Sequence, residues 1–541
     1  MWNADVFRLI RLTLDIVPTV LVFAAWSGTS LHQARPPVAS AADAPGSDCG
    51  AKINAADARM GSQPGTIRVT RACGLSWSTP VTLSADHNLD LAEPGTYVFE
   101  GILVKGRNQI SGLGPSTILQ LAPQQTYPPR GIAGIRLADQ NDKLWTASAV
   151  SIRSVALDGN YSSSPACRNG LQCAVGILIG SSDSSTSSGV EISNVMFSGW
   201  RGANVKFGNH SYPPAAIRIL HNTFKDCVSQ CIESTGFSRS VEITDNKFLG
   251  WGMQCTADCD AIFMYPNLPK TTDFDQHGLK IVGNTFTNAY RATKFATELF
   301  GGSDYGQRFT DVNYTDNTHD DLHAGGGGSG FSSTILNGLV SRNVWRNGCG
   351  GQRCGIELTG TNVVVSQNQI DNGTITVGGI EEPDKPFAAT NDVVDQNTIS
   401  IAAQNAKAII IGSASDIKVT RNTISLAGSS GSCDGIIVGI RGGRFGTATR
   451  VFIQGNQLEG SSSSVSPCTG IRIANSPDHP GSGIVVEQNT IARFAHGIFD
   501  SQNDASLKDI ALSGNIFLQT PQSISLNVVG AVVKQEGNTV R

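Results

Sequence analysis

An all-β solenoid, a coil of short strands each pairing with its equivalent one turn later, is the fold class that this 541-residue sequence predicts, and three observations predict it. Eleven asparagines recur in one local frame, with an apolar residue three positions before and another two after: Asn222, Asn246, Asn284, Asn343, Asn368, Asn397, Asn422, Asn456, Asn489, Asn515 and Asn538. Between them lie short β-branched runs such as Gly176-Ile-Leu-Ile179, Lys407-Ala-Ile-Ile-Ile411, Gly435-Ile-Ile-Val438 and Gly470-Ile-Arg-Ile473, bounded by turn-forming residues. No apolar period of 3.6 residues is sustained between residues 150 and 541, so the crossover helices of a doubly wound sheet have no place to sit.

Most spacings between the asparagines fall between 23 and 38 residues, a period that means stacked repeats. The 59 residues from Asn284 to Asn343 suit two turns, with Val312 of Phe309-Thr-Asp-Val-Asn-Tyr314 expected at the missing position. Asparagine suits a corner repeated in every coil because it tolerates left-handed backbone angles, and because its amide can donate to the same amide one coil on. That bond would satisfy polar groups which the bend takes out of the sheet ladder.

The ladder frame, with Asp48-Cys-Gly-Ala51, Ile110-Ser-Gly-Leu-Gly-Pro-Ser-Thr-Ile118 and Leu157-Asp-Gly-Asn160 as opening coils, resembles the right-handed parallel β-helix proteins of the pectate-lyase-like superfamily over roughly residues 60–541. The resemblance implies a right-handed single-stranded parallel β-helix and a preference for carbohydrate. It does not imply one activity, since that superfamily hosts lyases, hydrolases, epimerases, tailspike-like adhesins and non-catalytic proteins. The paired-Asp and Arg-Ile-Lys motifs of polygalacturonases and the arginine motif of pectate lyases have no close copy in this sequence.

A solenoid grows by adding coils, so one domain is expected over 48–541, with an N-terminal cap and the first coils over 48–150. Residues 16–26, Ile-Val-Pro-Thr-Val-Leu-Val-Phe-Ala-Ala-Trp, follow Arg8 and Arg11 and have the form of a secretory signal, and residues 27–47 read as a linker. The expected location is secreted, periplasmic or cell-surface, an uncleaved N-terminal anchor being the one membrane contact. A net charge of -4 with 16% charged residues gives no broad basic field and argues against nucleic acid as a partner.

Twelve cysteines agree with an oxidising compartment. Cys433 and Cys468 begin equivalent Cys-x-Gly-Ile segments in neighbouring coils, at a spacing that permits a bridge. Cys49 with Cys73, Cys167 with Cys173, and Cys349 with Cys354 are local pairs. Cys227, Cys231, Cys255 and Cys259 leave three pairings open, and disulfides are favoured over zinc because no histidines accompany them.

With coils aligned on the ladder position, and Val195 as the equivalent in its coil, alternation along the next strand gives an outward column. It runs Lys206, Glu233, Phe263, Lys294, His323, Glu357, Thr376, Ile410, Ile437, Arg472 and Phe499. Beside its ionisable half stand Asp258, Asp260, Tyr265, Arg291, Asp320, Asp321 and Arg353, densest in Thr318-His-Asp-Asp-Leu-His323.

Such a strip suits a linear polysaccharide. The candidate catalytic residues are Asp260, Lys294, Asp320, Asp321, His323 and Glu357; Lys206, Glu233, Tyr265, Arg291 and Arg353 are candidate substrate contacts. Two carboxylates on nearby coils would serve glycoside hydrolysis. On a uronate polymer, Lys294 or His323 could take the C5 proton while Arg291 or Arg353 stabilises the enolate. The sequence requires no cofactor, although Asp258 and Asp260 offer clustered oxygens of the kind Ca²⁺ takes, without EF-hand spacing. The alternative to an enzyme is a non-catalytic glycan-binding or structural cell-surface protein, because a mixed-sign column is also what solubility alone produces. His319 and His323 read as exposed turn and strand residues.

Overall fold

In the computed structural model the described residues are 36–541, apart from 124–131, 138–146, 161, 163–173, 181–186, 208–213, 237, 252–259, 266–275, 289–290, 296–308, 321–330, 347–354, 379–388, 404, 427–430, 442–443, 462–467, 475, 477, 480, 501–506 and 527–532. The expected signal segment lies outside them.

Each coil contributes three short strands, typified by Ile232–Thr235, Arg239–Thr244 and Lys247–Trp251. They are termed here faces 1, 2 and 3. Each pairs in parallel with its equivalents in the coils before and after. Faces 1 and 2 run together in a 35-stranded sheet, because in coils such as Gly355–Ser366 one strand passes from face 1 into face 2 without a break. Face 3 is a separate stack from Ser76–Trp77 to Thr539–Val540. The chain is a right-handed parallel β-helix whose apolar core fills the inside of the coil.

The asparagine ladder turns the corner between faces 2 and 3. From Asn222 to Asn538, each Nδ2 donates to the Oδ1 of the next rung at 2.9–3.0 Å. The missing rung is Asn317, not Val312: Asn284 donates to Asn317 Oδ1, and Asn317 to Asn343. Val312 is instead a core residue inside the strand Phe309–Thr315. The backbone role assigned to asparagine also needs correction. The left-handed residue is the one before each rung, from His221 and Asp245 to Gly537, with φ between 51° and 67°. Asparagine is selected for its amide, and the corner for Gly, Asp, Gln, Arg or His one position earlier.

Two residues past the ladder, rings stack inside the coil: Phe197, Phe224, Phe248, Phe286, His319 and Trp345, with centroids 4.4–5.0 Å apart. His319 is therefore fully buried, not exposed. Its Nδ1–H donates to Val344 O at 3.3 Å, so Nε2 is the atom that accepts from the Tyr314 hydroxyl at 2.7 Å. Burial depresses the His319 pKa to about 3, which keeps the ring neutral.

The N-terminal end is covered by a helix, Cys49–Met60, which lays Ile53 and Ala56 on the first coils. Asp48 caps it by accepting from Ala51 N–H at 2.8 Å, and a Cys49–Cys73 disulfide ties it down. The linker expected to reach residue 47 stops short of that. Val38–Ser40 pairs in parallel with Thr66–Arg68, and Ala41 is fully buried, so this stretch belongs to the cap. Cys433 is joined to Cys468 on adjacent coils, and Cys227 to Cys231. Cys167, Cys173, Cys349 and Cys354 lie outside the described residues.

Candidate functional site

Face 1 carries the outward column. Its Cα register runs Lys206, Glu233, Phe263, Lys294, Ser332, Glu357, Thr376, Ile410, Ile437, Arg472 and Phe499. One expected position differs. Ser332, not His323, stands in that coil, because its rung is Asn317 and not Val312, and because the connection from face 3 to face 1 varies in length. His323 itself lies outside the described residues, as do Asp258, Asp321 and Arg353.

Lys206 Nζ bonds Glu233 Oε1 at 2.8 Å across one coil step, with side chains only 22% and 9% exposed. A contrasting row on face 2, Glu191–Arg218–Glu242–Lys280, makes ion pairs of 2.6–3.2 Å with its cations about half exposed. That row is a solvated face of the ordinary kind. The partial burial of Lys206 and Glu233 sets face 1 apart.

Asp260 opens the strand Asp260–Tyr265, is fully buried, and has Arg291 as its register partner one coil on. Of Tyr265, Arg291 and Lys294 only the backbone is described; it places all three on face 1. Glu357 is partly exposed there. Asp320 is not with them. It ends the strand Thr318–Asp320 on face 3, between Thr287 and Arg346, a different face from that of Lys294 and Glu357. Among the described residues, no group of three or more His, Cys, Asp or Glu side chains comes together to hold a metal ion.

A further group on face 1 escaped the sequence reading. Asp434, three positions before Ile437, accepts from Arg472 Nε at 2.7 Å and is almost fully buried. Burial pushes its carboxyl above the ordinary carboxylate value, against the pull of Arg472 and then Lys407. The available signal was the repeated x-Gly-Ile segment, which puts Asp434, Thr469 and His496 in one register row.

No family model and no curated protein matches the chain. Among solved structures, it is similar to DFA-IIIase from Arthrobacter chlorophenolicus A6 in complex with GF2, at 13% identity over 80% of this chain and 93% of that one, with a TM-score of 0.39. It is also similar to the A-module of the mannuronan C-5 epimerase AlgE4 from Azotobacter vinelandii, at 15% identity over 92% and 100% of the two chains, with a TM-score of 0.25. The fold rests on this chain's own strand register: a right-handed parallel β-helix built on an asparagine ladder.

Proposed function

We propose that the protein is exported and acts on a polysaccharide as a lyase, its linear substrate lying across successive coils along face 1. The observation that carries this reading is the in-register column from Lys206 to Glu357, flanked by Asp260, Tyr265 and Arg291. The signal-like run over residues 16–26 and the disulfides support export. Among the described residues no helix is long and apolar enough to cross a membrane.

We favour elimination over hydrolysis. Asp260 lies three residues before the coil neighbour of Glu233, which puts their Cα atoms roughly 11 Å apart from ~3.3 Å per residue and ~4.8 Å per coil. Glu357 is three coils beyond Phe263. Two-carboxylate hydrolysis wants separations of about 5 to 9.5 Å, and Glu233 is already paired with Lys206. In the elimination, Lys294 takes the C5 proton of a uronate, and the freed electron pair forms the C4–C5 double bond. The C4–O bond breaks and its oxygen takes a proton from water, while Arg291 stabilises the charge developing on the uronate carboxylate.

The test is incubation with uronic and neutral polysaccharides, following ultraviolet absorbance of unsaturated products and reducing ends. Absorbance should rise with a uronic polymer, and Lys294→Ala should abolish the rise without lowering the melting temperature. New reducing ends without absorbance, or an unaltered rate in Lys294→Ala, would overturn the lyase assignment. Saturable binding without turnover would identify a protein that only holds its glycan.

A further inference from the structure

The C-terminal half of face 1 holds a side-chain cluster that the strip described above does not use. In one register row stand Lys407, Asp434, Thr469 and His496 on four consecutive coils. The outward column beside them supplies Ile437, Arg472 and Phe499. Arg472 bridges the two rows, bonding Asp434 Oδ1 at 2.7 Å through Nε and reaching Thr469 Oγ1 at 3.5 Å through Nη2. Its guanidinium carbon lies 5.8 Å from the centre of the Phe499 ring, which in turn is 4.8 Å from the His496 ring.

This group is largely buried. Ile437 faces outward yet is only 2% exposed, and the Arg472 side chain is 23% exposed. The strand Cys433–Val438 leaves through Gly439 into an antiparallel hairpin, Ile440–Arg441 with Arg444–Phe445, closed at its base by Gly446 N–H donating to Gly439 O at 2.9 Å. The strands Phe331–Ser341 and Gly355–Ser366 pass from face 1 to face 2 with no such projection. The Cys433–Cys468 disulfide pins the two central coils.

Among the described residues of these two rows, two cations stand against one carboxylate. Lys407 and Arg472 face the single carboxylate of Asp434, and Lys407 is near enough to act on it. His496 Nδ1 is buried with no hydrogen-bond partner among the described residues. A partly desolvated cation surplus beside an aromatic ring and an unused polar atom matches an anionic sugar better than a neutral one.

We propose that this cluster is a second glycan site, selective for an anionic sugar residue: Lys407 and Arg472 hold its carboxylate or sulfate, its ring lies against Phe499, and His496 Nδ1 bonds a hydroxyl. The inference rests on the reading of face 1 as a polysaccharide-binding surface, and it adds a separate anchoring point on that surface. Four coil steps separate Glu357 from Arg472, roughly 19 Å at ~4.8 Å per step, so a disaccharide held by Arg472 and Phe499 does not reach Glu357.

The experiment is calorimetric titration of the full chain with a uronic, a sulfated and a neutral disaccharide, alongside turnover and binding of the corresponding polymers. At least one anionic disaccharide should bind about tenfold more tightly than the neutral one, with affinity falling as salt is added. Lys407→Ala and Arg472→Lys should each weaken that binding at least about fivefold, Lys407→Ala with an unaltered melting temperature. The site is overturned if no disaccharide binds, if the neutral one binds equally well, or if both variants bind as the parent does. Should polymer binding or turnover persist in that event, only this site fails; loss of all polymer interaction would sink the underlying reading as well.

Discussion

Removing a rung from the middle of the asparagine ladder should cost far more than removing its last one. Asn368 is 1% exposed and takes part in four bonds: Nδ2 donates to Val340 O and Asn397 Oδ1 at 2.9 Å, and Oδ1 accepts the Asn343 backbone N–H and Nδ2 at 3.0 Å. Asn368→Ala deletes all four. Two of the partners keep another bond, since Asn343 Nδ2 still reaches Tyr314 O and Asn397 Oδ1 still accepts from Asn368 N–H. The Asn343 N–H and the Val340 carbonyl lose their ladder partner in a buried place. At about 1 kcal/mol net per bond, and more for groups left unpaired, the loss is about 4–6 kcal/mol. Asn538→Ala deletes three bonds at the partly exposed end of the ladder, where water replaces them, and should cost about 1–2 kcal/mol. Urea unfolding followed by tryptophan fluorescence gives both values, with hydrogen exchange at the Asn343 amide as the local check. If the two variants lose stability equally, the ladder does not carry the weight assigned to it.

Three other outcomes follow from the interior and the coil-to-coil ties. His319 is held neutral down to about pH 3, whereas in the unfolded chain it protonates near the ordinary value of 6.5. Its contribution is complete above pH 6.5 and is lost as pH falls towards 3, at up to about 1.4 kcal/mol per pH unit. His319→Phe should flatten that part of the stability profile while costing about 1–3 kcal/mol at neutral pH, because the Tyr314 hydroxyl loses its acceptor; an unaltered profile in urea titrations would contradict this. For Lys206 and Glu233, a double-mutant cycle with Lys206→Met and Glu233→Gln should give about 1–2 kcal/mol of coupling, against less than about 1 kcal/mol for the exposed Arg218–Glu242 pair. Replacing both Cys433 and Cys468 with Ser opens a closure of 35 residues and should lower stability by up to about 4 kcal/mol in the same assay.

Much of the fold was legible because the ladder is a chemical requirement repeated in every coil, and a repeated requirement shows in sequence. Asn317 escaped because its flanking positions hold Tyr314 and His319, two polar aromatics doing the work of apolar residues inside the coil. The same substitution hid the burial of His319 and made Thr318-His-Asp-Asp look like a polar knot. Placing His319 two residues past a rung, in line with Phe286 and Trp345, turns it inward and leaves Asp320 on face 3. The outward column was readable wherever the rung was right, since alternation does the rest. Asp434 was not, because it sits three positions before its column, where the register skips a residue at Gly435 and strict alternation fails. The pairing of Val38–Ser40 was masked by an Ala, Pro and Ser composition that suits a linker equally well.

The central claim is that residues far apart in sequence form one glycan-holding row on face 1. Hydrogen exchange of the full chain, with and without the polysaccharide it prefers, tests this most directly. The account predicts slowed exchange in Val205–Phe207, Ile232–Thr235, Asp260–Tyr265 and the first residues of Gly355–Ser366, with Ala215–Leu220 and Arg239–Thr244 on face 2 unaltered. Slowing confined to face 2 or face 3 would contradict it.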